Sequence, residues 1–271
     1  MMAIRIGLIG FGTIGRAVAQ AVQEGTAGDT SIGAILVRNP QRYSSDAALY
    51  PWKFTEDPEE FFSREMDLVA EAAGHEAVRR YAVRCLESGR DLLTISAGAF
   101  ADEALLSSVR EAALTAGRRV LIPSGAIGGL DAIAAAALGG LVEVTITTRK
   151  PPLAWKGTVA EQQIDLESVV EPVCLYSGSA REAARLYPQN VNVQAALALA
   201  GIGMDRTQSG VYADPGARHN THEITARGYF GEVRIVIGNI PSETSPKTGR
   251  LAALSMIRTI RNLTAPLVVG V

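Results

Sequence analysis

Among 271 residues there are only two cysteines and three histidines. Neither a disulfide framework nor a zinc-binding cluster is therefore written into the chain, and no metal is expected. Cys85 falls in the amphipathic run AVRRYAVRCLESG and reads as a small buried hydrophobe. Cys174 follows the strand-like VVEPV, where a catalytic thiol is the minor alternative. Excess charge of either sign is missing too. A formal net charge of −2 argues against a nucleic-acid or membrane-surface partner and leaves a small molecule as the expected one. Long hydrophobic runs are absent: the stretch 127–142 is interrupted by Asp131 and by glycines and is too short to cross a bilayer. The apolar start of the chain is short and broken by glycine, so it reads as a first strand rather than a secretory leader. A cytoplasmic protein is the expectation.

What the chain does have is glycine in a telling place. Gly10, Gly12 and Gly15 lie in IRIGLIGFGTIGRAVAQAV, after a strand-like run, Ile4 to Ile9. A helical run follows, with Ile14, Val18, Ala21 and Val22 recurring on one face. A dinucleotide fingerprint needs this context. One glycine makes the tight turn, the next admits the pyrophosphate, and the third lets helix and strand pack closely. Thr13 and Ile14 open the helix whose N-terminal amides would face the phosphates.

Strands and helices alternate through the first 123 residues. Strands are expected at 31–37, 52–55, 67–72, 92–96 and 119–123, with helices at 76–88 and 102–115. This rhythm predicts a doubly wound parallel sheet of Rossmann type. From Val142 onward the segments VEVTITTR, TVAEQQID, VYADP, HEITAR and EVRIVIGN read as longer, alternating strands. Helices near 179–186 and 193–199 interrupt them. The fold class is thus α/β, with a Rossmann-type domain and a second α/β domain on a mixed sheet carrying helices on one side. The boundaries expected are 1–125 and 126–244, with 245–271 folding back on the first domain. A turn-rich joint, 241–246, leads to a last helix bearing Leu251, Leu254, Ile257 and Ile260.

The second strand ends in Arg38-Asn39 with Arg42 close behind and no carboxylate. An acid there would hold the ribose 2′-hydroxyl of NAD, whereas an arginine accommodates the 2′-phosphate of NADP. NADP or dual use follows, with Arg38 as the contact, unless Arg38 is a plain solvated loop residue. Later strand ends carry small residues: Ala73 and Gly74 before His75, Gly98 in SAGA, and Ala126 in PSGA. These suit a flat ring against backbone. His222, in ADPGARHNTHEITAR, stands where loop meets strand and shares a face with Ile224 and Ala226. It is a candidate for acid–base work. Considered alone, a structural histidine is the commoner case; His219 reads as a solvated loop residue and His75 as a cap or cofactor-loop residue. Asn192, in PQNVNV, is either a helix N-cap or an amide for a ligand. Arg149 and Lys150 close a strand and offer cations to an acidic substrate.

Together, GLIGFGTIG, EAAGHEAVR, TISAGAFAD, IPSGAIGGLDAI, TTRKPP, YPQNVNVQAALALAG and ADPGARHNTHEI resemble the L-aspartate dehydrogenase family over nearly the whole chain. The resemblance implies a catalytic His222, cofactor contacts at Ala126 and Asn192, NAD or NADP as cofactor, and a homodimer formed through the second domain. It implies oxidation of L-aspartate to iminoaspartate, which yields oxaloacetate and ammonia or feeds quinolinate formation, or the reverse amination. His222 would act as base on the amine or position water; Asn220 and Thr221 would orient the substrate, and Lys150 would hold a carboxylate. An oxidoreductase of the dihydrodipicolinate reductase or homoserine dehydrogenase type shares the two-part design and remains an alternative. A non-catalytic nucleotide sensor is a more distant one.

Overall fold

The computed structural model describes residues 3–188, 192–242 and 245–270. The chain divides into two compact units, Met1–Pro123 with Ala253–Val271, and Ser124–Ala252. The divisions fall at 123/124 and 252/253 rather than at the expected 125/126 and 244/245.

In the first unit, β1 (Ile4–Ile9) leads into α1 (Thr13–Gln23), then β2 (Thr30–Leu36), α2 (Ser44–Leu49), β3 (Phe54–Thr55) and α3 (Pro58–Phe62). There follow β4 (Leu68–Glu71), α4 (His75–Glu87), β5 (Asp91–Thr94), α5 (Glu103–Ala116) and β6 (Val120–Leu121). The strands form one parallel sheet in the order β3-β2-β1-β4-β5-β6. That is the Rossmann order, with its reversal between β1 and β4. Ile6, Leu8, Ile35, Leu68 and Leu93 are fully or almost fully buried. A parallel sheet covered on both faces requires such near-continuous apolar strands. Each of these side chains contributes about 1.5–3 kcal/mol by leaving water.

The C-terminal helix, Arg250–Asn262, places Met256 and Ile260 in this core beside Ile6 and Leu8. Thr264 Oγ1 beyond it accepts the Asp29 amide at 3.2 Å. Its buried stripe is not the expected one. Ala252, Ala253, Met256 and Ile260 face inward, whereas Leu251 and Leu254 are exposed.

The second unit runs α6 (Leu130–Leu138), β7 (Leu141–Lys150), α7 (Ala160–Gln163), β8 (Val173–Ser179), α8 (Ala180–Leu186) and α9 (Asn192–Ala200). Then come β9 (Gln208–Ala213), β10 (Asn220–Gly228), β11 (Gly231–Asn239) and the small pair β12 (Pro241–Ser242) and β13 (Ser245–Gly249). The main sheet is mixed, ordered β11-β10-β7-β9-β8, and only β7 and β9 pair in parallel. Val144, Ile146, Ile224 and Ala226 pack under Ile133 of α6 and Leu197 of α9. On the opposite face Glu223, Arg234 and Val236 are exposed.

Three elements depart from the sequence expectation. TVAEQQID forms the single helical turn α7 rather than a strand, since the Thr158 hydroxyl accepts the Ala160 amide at 3.2 Å and caps helix-favouring Glu and Gln. The strand expected near VVEPV begins only at Val173, after Pro172, which has no amide to give a ladder. Helix α6 falls within the run read only as small and apolar, because its alanines carry little facial contrast.

Candidate active site: a dinucleotide cradle and a buried histidine

The three fingerprint glycines have separable roles. Gly10 adopts φ +92°, and a Cβ there would meet Ala73 Cβ at 2.8 Å and the Ala72 carbonyl oxygen at 2.9 Å. At Gly15 a Cβ would fall 2.2 Å from the Gly10 carbonyl oxygen, so this glycine permits α1 to lie against the turn. At Gly12 a Cβ would meet nothing within 4 Å. Gly12 is also the N-cap of α1 and brings no side chain to the helix entrance. The space is open where a pyrophosphate needs it, at the positive end of a helix dipole. The residues present therefore fit a dinucleotide.

A buried carboxylate braces the neighbouring loops. Glu71, at the carboxyl end of β4, is 1% exposed. Its Oε1 accepts the amides of Ala73 and Gly74 at 2.6 and 2.7 Å and the Ser96 hydroxyl at 3.2 Å. Its Oε2 accepts the Thr94 hydroxyl at 2.6 Å. Burial pushes the carboxyl pKa up, against the pull of these donors. One side chain thus fixes the turns after both β4 and β5, which carry Ala73 and Gly98. Sequence reading passed over it.

In the second unit, strand alternation sorts the polar residues cleanly. Lys150, Thr148, Asn220 and His222 are buried on the helix-covered face of β7 and β10. His222 sits opposite Thr148 in the antiparallel ladder, and its Nδ1 lies 3.0 Å from Thr148 Oγ1. Gln194 of α9 donates from Nε2 to Thr148 Oγ1 at 3.1 Å and accepts the Ser209 hydroxyl at 2.6 Å. Burial, and secondarily the Lys150 charge, push the His222 pKa down to about 3, so the imidazole is neutral at ordinary pH. The Lys150 ammonium stands 5.0 Å from the centroid of the buried Trp155 ring.

Known proteins resemble the chain along its length. Residues 131–263 match the family described as "Aspartate dehydrogenase, C-terminal", and residues 10–123 match "Homoserine dehydrogenase, NAD binding domain". An L-aspartate dehydrogenase of Methanocella arvoryzae is 41% identical over 268 residues, covering 98% of this chain and 99% of the relative. The chain belongs to the L-aspartate dehydrogenase family. A second family member, from Ruegeria pomeroyi, is 40% identical and spans 95% of this chain and 92% of its own. The crystal structure of aspartate dehydrogenase from Thermotoga maritima superposes with a TM-score of 0.77 at 26% identity, covering 98% and 99% of the two chains.

Within this family member the expected site residues are only partly gathered. Lys150, Asn220 and His222 share one face, but Thr221 and Arg149 project from the other side of the same paired strands. The Thr221 hydroxyl donates to the His219 carbonyl oxygen at 3.4 Å. Arg149 lies over the Tyr212 ring at 4.4 Å, between Asp214 at 3.6 Å and Glu223 at 3.9 Å. Neither side chain shares the buried face on which the histidine lies.

Asn192 opens α9 as its first residue, while 189–191, also part of the PQNVNV motif, lie outside the described residues. The Ala126 carbonyl oxygen accepts the Asn239 amide at 2.7 Å. Thr13 and Ile14 form the first turn of α1, and Arg38 is exposed just past β2. His75 begins α4, and His219 is exposed. Cys85 is buried and its thiol is pushed up to about 12 by burial, whereas Cys174 is exposed on β8. Among the described residues no group of side chains could hold a metal ion, and no helix is long and apolar enough to cross a membrane.

Proposed function

We propose that this chain is an NAD(P)-dependent L-aspartate dehydrogenase that removes hydride from Cα of aspartate, giving iminoaspartate and then oxaloacetate and ammonia, or runs the amination in reverse. One observation carries the reading: a cation, an amide and a neutral histidine are buried together on one sheet face, in a family member that also owns a dinucleotide cradle. When bound, the nicotinamide serves as hydride acceptor. Gly10, Gly12, Thr13 and Ile14 would seat the pyrophosphate, with Ala73, Gly98, Ala126 and Asn192 as further cofactor contacts. Arg38, in place of an acid after β2, would favour a 2′-phosphate. Lys150 binds a substrate carboxylate and Asn220 orients the substrate. His222 acts through Nε2, since Nδ1 is engaged by Thr148.

The glycine fingerprint that would seat the pyrophosphate belongs to the first unit, and substrate binding and homodimer formation to the second. The protein would work in the cytoplasm on small molecules alone. Formation of reduced nicotinamide from L-aspartate with each nucleotide tests the proposal. Aspartate should support reduction while homoserine and other amino acids do not; activity on homoserine alone would reject it. Sedimentation velocity tests the homodimer.

A further inference from the structure

Four buried groups form a single file: the Ser209 hydroxyl, the Gln194 amide, the Thr148 hydroxyl and the His222 imidazole, drawn from β9, α9, β7 and β10. Such a chain can run in two directions, and the two present opposite tautomers of the histidine. If the Gln194 oxygen faces Ser209, its nitrogen donates to Thr148. If the amide is turned over, its oxygen accepts from Thr148 and the whole sequence reverses.

The distances choose between them. The contact to Ser209 is 2.6 Å, a length typical of O–H···O, and the contact to Thr148 is 3.1 Å, typical of N–H···O. Thr148 Oγ1 thus receives a hydrogen bond from Gln194 and retains one proton of its own. Thr148 is fully buried, and the one remaining group within reach among the described residues is His222 Nδ1, at 3.0 Å. A hydroxyl proton left without an acceptor there would cost its full desolvation, so it goes to Nδ1. Nδ1 is then the acceptor, and the ring proton of neutral imidazole sits on Nε2.

We infer that Thr148, Gln194 and Ser209 are positioning residues that hold His222 as the Nε2–H tautomer, so that it meets the substrate as a neutral hydrogen-bond donor to a substrate oxygen rather than as a base on the amine. The inference rests on the proposed role of His222. It assigns that role a direction: the imidazole polarises the oxygen-bearing partner, the carbonyl of the keto acid or the hydroxyl of the carbinolamine.

The tautomer is directly measurable. Long-range proton–nitrogen correlation spectra of protein with isotopically labelled histidine distinguish Nε2–H from Nδ1–H, and a His222→Gln variant assigns the signal. The resting protein should show Nε2–H at neutral pH. Thr148→Val keeps the shape but removes the hydroxyl, and should leave a mixture of tautomers. Gln194→Glu replaces a donor by an acceptor and should drive the ring to Nδ1–H. That variant should lose kcat by about tenfold or more, with a much smaller change in KM for aspartate. A shift in either variant supports the inference. A resting Nδ1–H signal, or an Nε2–H signal that neither substitution moves, overturns it. Failure of the otherwise unaltered protein to oxidise aspartate would instead reject the proposed function and leave the tautomer assignment standing.

Discussion

At residue scale, a neutral imidazole enclosed beside a buried ammonium does chemistry that a solvated histidine cannot. Its protonation is opposed by burial and by Lys150, so its hydrogen-bonding role does not drift over the working pH range. His222→Ala should lower turnover by about 100-fold or more while NAD(P) affinity stays near normal, checked by steady-state kinetics and fluorescence titration. Glu71→Gln should act oppositely. An amide has one acceptor oxygen where two oxygens now take four donors, so the loops after β4 and β5 lose their brace. Cofactor affinity in that variant should fall by about tenfold, and titration with each nucleotide would reveal it.

His222 was legible in the sequence because period-two alternation put it on the apolar face of HEITAR. Glu71 and Gln194 were not. Each is a single polar residue in a run of small apolar ones, LVAEAAG and VQAALALA, and a lone polar residue looks the same whether solvated or enclosed. The only available hint was that no other residue in either run needed water.

Elements tell a similar story about where pattern suffices. The fingerprint strand and helix formed as expected, since strand burial and helix amphipathicity both pointed to the same core. Helix α6 was missed where alanines give no contrast, and α7 was misread because a hydroxyl cap outweighed an alternating look. The glycine turn supplies a test at this scale. Gly15→Ala puts a methyl 2.2 Å from a backbone oxygen that cannot move cheaply, and should lower the melting temperature by several degrees. Gly12→Ala meets nothing in the protein and should melt normally, yet bind NAD(P) poorly. Equal stability losses in both variants, read by thermal denaturation, would contradict the separation of roles.

For the whole molecule, the same buried histidine sets a pH dependence of stability. The unfolded chain takes up this proton near pH 6.5, whereas the folded protein resists until about pH 3. Between these values the unfolded state binds more protons, so stability falls as the solution is acidified and is fully restored above 6.5. Half-buried Glu60, held at about 2 chiefly by hydrogen bonds from Lys53, Thr55 and Arg64, adds its own loss only below its ordinary 4.5. Chemical denaturation between those upper two thresholds should therefore give a sloping stability curve for the natural protein and a flatter one for His222→Gln. The alternation of strand and helix made the two-unit plan readable, but the positions where one unit ends and the next begins were not, because the joining segments share the small-residue composition of the cofactor loops.

The pair of thiols has a practical consequence. With Cys85 sealed and Cys174 accessible beside Tyr212 on the uncovered sheet face, a maleimide dye would attach at one point without any engineering. If self-association covers that face, the labelling rate would slow as the protein is concentrated, turning a single alkylation into a gauge of assembly.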